Sequence, residues 1–429
     1  MSDLFDVVVV GSGPGGIAAA TVAAEAGKRV CLLDDNATPG GQIWRGGDVQ
    51  TEWKPRQGKE FQGWMTRLRS SGCTVLQGWK AIDRPGPNLL RLERNQEGRD
   101  VTFGALIVAT GARERFLPFP GWTLPGVMGA GGLQALLKAG LDPRGKRVVV
   151  AGTGPLLLAV AAGVAEKGGS VVGTYEQAPL MRLANFGLTL LKHPQKLVEG
   201  ARYRIKTLGS PFRTGSWVVR AEGQEKVESV TLTDGRKQWT VACDWLACGF
   251  HLVPNLELPR LLGCRIRGGY VDVDRFQQSS VQGVACVGEL TGVGGLDKTL
   301  LEGQIAGWAS VGRPMEARAL ASKRPRLEQF ALGLDRAFAL RPELRALAEA
   351  ETVVCRCEDV THAELEGRSC SREAKLHTRC GMGACQGRVC GSAVEFLYGW
   401  ENTSSRPPVF PSTVATLAAE VPAPYQRGR

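Results

Sequence analysis

An α/β fold with two Rossmann-like dinucleotide-binding domains and a small helical C-terminal domain is predicted for this 429-residue chain, on three observations. The chain opens on a strand, a glycine-rich turn and a small-residue helix. The same pattern returns near residue 146, and tight pairs of cysteines gather near the C-terminus.

Residues 6–34 read as strand (DVVVVG), turn (Ser12 to Gly16), helix (IAAATVAAEAG) and strand (RVCLLD). Gly11, Gly13 and Gly16 have the spacing of a tight turn, a close backbone approach to a pyrophosphate and a close helix–strand contact; Pro14 and Gly15 complete the binding turn. Asp34 ends the second strand, where a carboxylate can accept hydrogen bonds from a ribose hydroxyl. Triplet, flanking strand, helix and terminal acid together outweigh the bland alternative of a glycine turn that binds nothing. Two further buried strands, in 105–121 and 284–295, end in Thr110-Gly111 and Gly288-Glu289.

The second unit, 146–176, keeps Gly152 and Gly154 but has Leu157 at the third position, where a bulky side chain is expected to push helix from strand and crowd a phosphate. Glu176 still ends its second strand. A statically held adenine nucleotide, NAD or ATP, a working NAD(P)H site and an empty relic all fit this pattern. The expected organisation is a discontinuous first domain at 1–122 and 245–312 and a second domain at 123–244. A linker of two short helices at 313–350, the cysteine domain at 351–400 and a tail at 401–429 follow.

The cysteine segment places Cys355 and Cys357 in CRCEDV and, after 27 intervening residues, Cys385 and Cys390 in a Cys-x4-Cys pair. Thiolates are soft ligands, and Gly381, Gly383 and Gly387 free backbone amides to face sulfur. A Cys-x-Cys pair is unusual for a zinc ribbon, so this reading favours a 2Fe-2S cluster over zinc. Cys370 and Cys380 are set aside as spares, and the six remaining cysteines are expected to be small core residues.

The net charge of +11 comes without a basic run or an aromatic-interleaved patch, which argues against nucleic acid and suits acidic partners or anionic cofactors. No basic leader and no stretch of ~18 apolar residues is present, so a cytoplasmic protein without a transmembrane segment is expected. The four histidines, His193, His251, His362 and His377, read as structural or surface groups, and no catalytic base or redox-active Cys pair stands out.

The ATGARERFLPFPG and GELTG segments, set beside the first turn, resemble those of the glutathione-reductase-like superfamily of flavoproteins. That resemblance implies FAD on the first turn, with Glu289 where Asp is more usual, and PGGQIWR, with Gly41 and Gln42, running alongside the isoalloxazine. The cysteine block resembles the bacterioferritin-associated-ferredoxin-like 2Fe-2S domain. The whole order of motifs resembles the α subunits of opine oxidases, hydrogen cyanide synthase and the heteromeric proline and D-hydroxyproline dehydrogenases. Membership would imply an oxidoreductase acting on CH-NH donors, in which a D-amino-acid-oxidase-like β subunit oxidises a small amino or imino acid. It would also imply a small ferredoxin-like γ subunit in some members, FMN at a subunit interface in some, and electron relay by this chain. Two alternatives stand beside it: a self-contained NAD(P)H-dependent reductase, and a redox-inert assembly subunit with structural zinc.

Overall fold

The computed structural model describes residues 3–45, 58–401 and 405–420. The chain divides into two compact units. The first is Met1–Arg113, Pro254–Ala331 and Thr403–Arg429; the second is Glu114–Val253 and Leu332–Asn402.

In the first unit the strands run in the order Thr74–Gln77, Val30–Asp34, Asp3–Val10, Glu97–Val108, Leu89–Arg94, Lys80–Gly86, and Val284–Cys286 also pairs with Glu97–Val108. The first four are parallel, with Val8 opposite Cys31 and Leu106. Such strands are covered on both faces, which is why they read as unbroken apolar runs rather than alternating ones. The helix Pro14–Glu25 is rich in alanine because the helix Gly295–Ser310 lies against it at backbone distance. A Cβ added at Gly303 would sit 2.2 Å from the Gly15 carbonyl oxygen. The tail is held by Glu93, which accepts from the Thr413 amide and from the Thr413 and Thr416 hydroxyls at 2.7–3.1 Å.

The second unit repeats the plan. Phe212–Thr214, Ser170–Glu176, Arg147–Thr153, Trp245–Phe250 and Val127–Gly129 form a parallel sheet in that order, and Trp217–Glu222, Ser229–Thr233 and Gln238–Ala242 form an antiparallel one. The chain enters this unit earlier than expected. Leu117, Phe119 and Trp122 are buried in its core, with Val149, Leu246 and Phe250, so residues 114–122 belong here and not to the first domain. Leu344, Leu347 and Ala393 join the same core, which draws the end of the 313–350 segment and the cysteine domain into this unit.

Glu114 is half-buried against the N-terminus of the helix Ala130–Lys138 and accepts from the Gly131 amide at 3.0 Å. Burial pushes its carboxyl up to about 7, more than the amides of residues 130–132 pull it down. Between the ordinary carboxylate range and about pH 7 the folded chain thus holds a proton the unfolded chain has lost, so this group's contribution to stability is greatest at acid pH and declines as pH rises through that window. Glu114→Gln should flatten the decline in melting temperature between about pH 5 and 7.5, an effect of roughly 3 kcal/mol at most. Identical wild-type and variant slopes would show that the carboxyl is ionised throughout.

Candidate functional site

The first turn has the geometry of a dinucleotide cradle. A Cβ at Gly16 would lie 1.8 Å from the Gly11 carbonyl oxygen, so glycine alone permits this helix–strand contact. At Gly13, by contrast, an added Cβ would meet nothing within 4 Å, and Pro14 and Gly15 open a helix whose N-cap supplies no side-chain hydrogen bond. Uncapped amides beside open space at a helix N-terminus suit a pyrophosphate. Two other predicted segments come to this turn or its neighbourhood. Gly40 donates to Ser12 O at 2.8 Å, and Gly41 approaches the Gly13 Cα, with Gln42 exposed just beyond. Ala109, just before Thr110 and Gly111, backs Gly11, and Thr110 O accepts from Asn255 Nδ2 at 2.7 Å.

Asp34 departs from expectation. Its carboxylate accepts from the Ser12 amide, the Ser12 hydroxyl at 2.9 Å, the Asn36 amide at 2.8 Å and Asn36 Nδ2 at 2.7 Å. These four donors occupy its oxygens, so Asp34 braces the turn, a role its place in the sequence did not announce. The next residue, Asp35, is exposed at the surface, and partial desolvation of its carboxyl by its neighbours, with the Asp34 charge, raises its pKa.

Gly288 and Glu289 begin a short 3-10 turn. Glu289 accepts from the Gly294 and Gly295 amides at 3.3 Å, and burial, opposed by Lys298, pushes its carboxyl up to about 7. Behind it lies a buried network that sequence reading missed: Lys298 donates to Thr291 Oγ1 and Gly292 O and pairs at 2.9 Å with Glu302, which accepts from the Gly288 amide. The i,i+4 Lys–Glu spacing in LDKTLLEG was its only trace.

The second turn copies the brace. Glu176 accepts from Thr153 Oγ1 and the Gly154 amide at 2.7 Å and from the Ala178 amide at 2.8 Å; burial pushes its carboxyl up to about 7. Gly152 backs Gly249, as Gly11 backs Ala109. Leu157 does not crowd the turn as expected: it is buried in the core with Val150, Val160 and Ala161. Beside this turn another part of the chain is bonded, while an added Cβ at Gly154 would meet nothing within 4 Å. Gln177, at the position of Asp35, is fully buried and bonds Thr153 Oγ1, Ala339 O and the Arg341 amide. Thr153 Oγ1 also donates to Phe338 O, and Phe338 meets Phe186 edge-on.

The cysteine domain is built from the strands Val353–Cys355 and Val360–Thr361 and the helices Ser371–Thr378 and Cys390–Tyr398. The sulfurs of Cys355, Cys380 and Cys390 lie within 4.8 Å of one another and are buried. Cys380, read as a spare, therefore stands in the cluster: Arg379, in a left-handed conformation after the helix, turns it inward. Cys357 and Cys385 hydrogen-bond to each other, and Gly383 packs against Cys357 so closely that a Cβ would clash at 2.4 Å. Cys370 is exposed and outside the group. Hydrogen bonds from the Cys380 and Cys390 thiols, aided by the Gly381 amide at 3.4 Å, hold the Cys355 thiol far below its ordinary range. A buried thiolate facing a glycine amide, with two more cysteine sulfurs beside it, suits iron–sulfur or zinc.

Residues 5–319 match the pyridine nucleotide-disulphide oxidoreductase family. Hydrogen cyanide synthase subunit HcnB of Pseudomonas aeruginosa is 33% identical over 420 residues, covering 89% of this chain and 90% of the relative. An opine oxidase subunit from Rhizobium meliloti is 32% identical over 472 residues, covering 97% and 98%. Among solved structures, L-proline dehydrogenase from P. horikoshii shares the fold, with a TM-score of 0.70 at 19% identity over 97% of this chain and 80% of that one. Fold and first turn define a flavoprotein oxidoreductase with two dinucleotide-binding domains. The chain belongs to the pyridine nucleotide-disulphide oxidoreductase family, in the group of HcnB and this opine oxidase subunit. Among the described residues no helix is long and apolar enough to cross a membrane.

Gly13→Ala should leave the melting curve of the apo-protein unchanged, since the methyl enters open space, yet weaken FAD retention by about tenfold or more, ~1.4 kcal/mol; equilibrium dialysis of flavin measures this. NADH or NADPH added to the oxidised protein should leave the flavin bands unbleached, because Gln177 and the Phe338–Arg341 backbone fill each other's hydrogen bonds. Rapid bleaching would show that the second turn takes a nicotinamide cofactor.

Proposed function

We propose that this chain is the electron-relaying α subunit of a flavin-dependent amino- or imino-acid dehydrogenase of the D-hydroxyproline, proline or opine type, working in the cytoplasm. The observation that carries the proposal is a buried thiol cluster in a flavoprotein whose second turn has Gln177 bonded to the chain's own backbone. Supporting it, the relatives matched over most of their length are named as subunits of hydrogen cyanide synthase and opine oxidase.

In this reading Gly11, Gly13 and Gly16 receive the pyrophosphate of FAD, Asp34 holds the turn in shape, and Asp35 takes the ribose. Glu289, with Lys298 behind it, lies at the Gly288 turn where the family contacts the flavin's ribityl–pyrophosphate arm. Cys355 with Cys390, and Cys357 with Cys385, would each hold one iron of a 2Fe-2S centre, and Cys380 would donate to the Cys355 sulfur. When bound, FAD supplies a two-electron carrier and the cluster a one-electron carrier. Substrate oxidation is assigned to a D-amino-acid-oxidase-like β subunit, with two further components, an interface FMN and a small ferredoxin-like γ subunit. The histidines of this chain fit that division: His251 pairs with Asp335 at 3.4 Å, and His362 bonds the Tyr398 hydroxyl.

Structural zinc is the second reading, because three thiols, Cys355, Cys380 and Cys390, converge more tightly than the predicted four. Cysteine variants separate the two. For a 2Fe-2S centre, Cys355→Ser and Cys385→Ser should abolish the iron content and the visible iron–sulfur bands, Cys380→Ser should keep both with a shifted potential, and Cys370→Ser should change nothing. Zinc in place of iron, lost in Cys380→Ser and kept in Cys385→Ser, would overturn the relay. The purified chain with its co-expressed β subunit should have its flavins reduced by one of proline, D-hydroxyproline or an opine; reduction by this chain alone would move catalysis here.

A further inference from the structure

The helices Leu180–Leu190 and Pro194–Ile205 are the most exposed apolar elements of the described chain. On the first, Phe186 points inward and is the only buried residue, while Leu180, Met181, Leu188 and Leu191 are each at least 66% exposed. The second helix buries no residue, and Leu197, Val198 and Ile205 lie open on it. At 100° per residue these side chains share one stripe on each helix, and on the first helix that stripe lies opposite Phe186. Their combined area is of the order of the ~800 Å² that each partner of a stable interface covers. Soluble chains rarely leave such a surface uncovered.

We infer that this helical pair is the docking face for the companion subunit, and that the companion presents an apolar patch rimmed by acidic residues. The inference rests on the subunit reading above. Residues 180–208 hold six Lys or Arg against one acid, Glu199. That charge repels a second copy of the same face and attracts a carboxylate-rich rim. A membrane surface fits less well, since interfacial helices bring Trp or Phe to their apolar side, and here the aromatic residue of the first helix, Phe186, is spent on the interior.

Leu188→Glu and Leu197→Glu place a charge on exposed positions, so each should keep the wild-type melting temperature and visible spectrum. Co-expressed with the D-amino-acid-oxidase-like subunit of its own genome, the wild-type chain should co-elute with it in size-exclusion chromatography, and each variant should weaken the complex at least about tenfold. Variants that bind the companion as tightly as wild type overturn this docking face alone. A wild-type chain that forms no complex overturns both the subunit reading and the face. A homodimer dissolved by Leu188→Glu, or co-sedimentation with phosphatidylglycerol vesicles lost in Leu197→Glu, would assign the face to those occupants and overturn the companion.

Discussion

A carboxylate reaching back from the end of the second strand to the glycine turn is the constraint on which each dinucleotide domain depends. Asp34 takes the Ser12 amide and hydroxyl, and Glu176 takes the Thr153 hydroxyl and the Gly154 amide. A buried carboxylate is costly unless its lone pairs are filled, and here the donors are backbone amides that a tight turn would otherwise leave unpaired. The brace fixes how far the turn stands from the second strand. With that spacing set, Gly16 can touch Gly11, the helix can start at Pro14, and Gly41 can lie over Gly13.

From one brace the two domains diverge at the following residue. Asp35 stands exposed beside an open turn, whereas Gln177 is buried and bonded to Ala339 and Arg341. An amide both donates and accepts, so Gln177 can satisfy a carbonyl and an amide of passing backbone; a carboxylate could only accept. A neutral residue at that position is thus suited to holding a strand of the chain itself. The bonded backbone lies some 160 residues away, and Leu157 is absorbed by the helix core.

The cysteine domain shows the same dependence on distant groups. Cys355 ends a strand, Cys390 starts a helix, and Cys380 follows a left-handed Arg379, so three unrelated local conformations converge on one point. Behind the Gly288 turn, Lys298 and Glu302 form a buried pair that is stable only because hydroxyl, carbonyl and amide groups complete it.

The amino-acid order alone determined both strand–turn–helix units, their parallel sheets, the glycine cradle at residues 11–16 and the gathering of thiols near the C-terminus, because periodicity, glycine spacing and cysteine pairing are local properties of the chain. Three points were decided only by tertiary structure. Asp34 and not Asp35 turned inward, since which of two adjacent acids braces the turn depends on where Ser12 lies after folding. Cys380 joined Cys355 and Cys390, since sulfur distances depend on a helix end and a left-handed residue that spacing does not encode. Beside the second turn, Thr153 and Gln177 bonded Phe338–Arg341, a contact between segments far apart in sequence that neither segment announces.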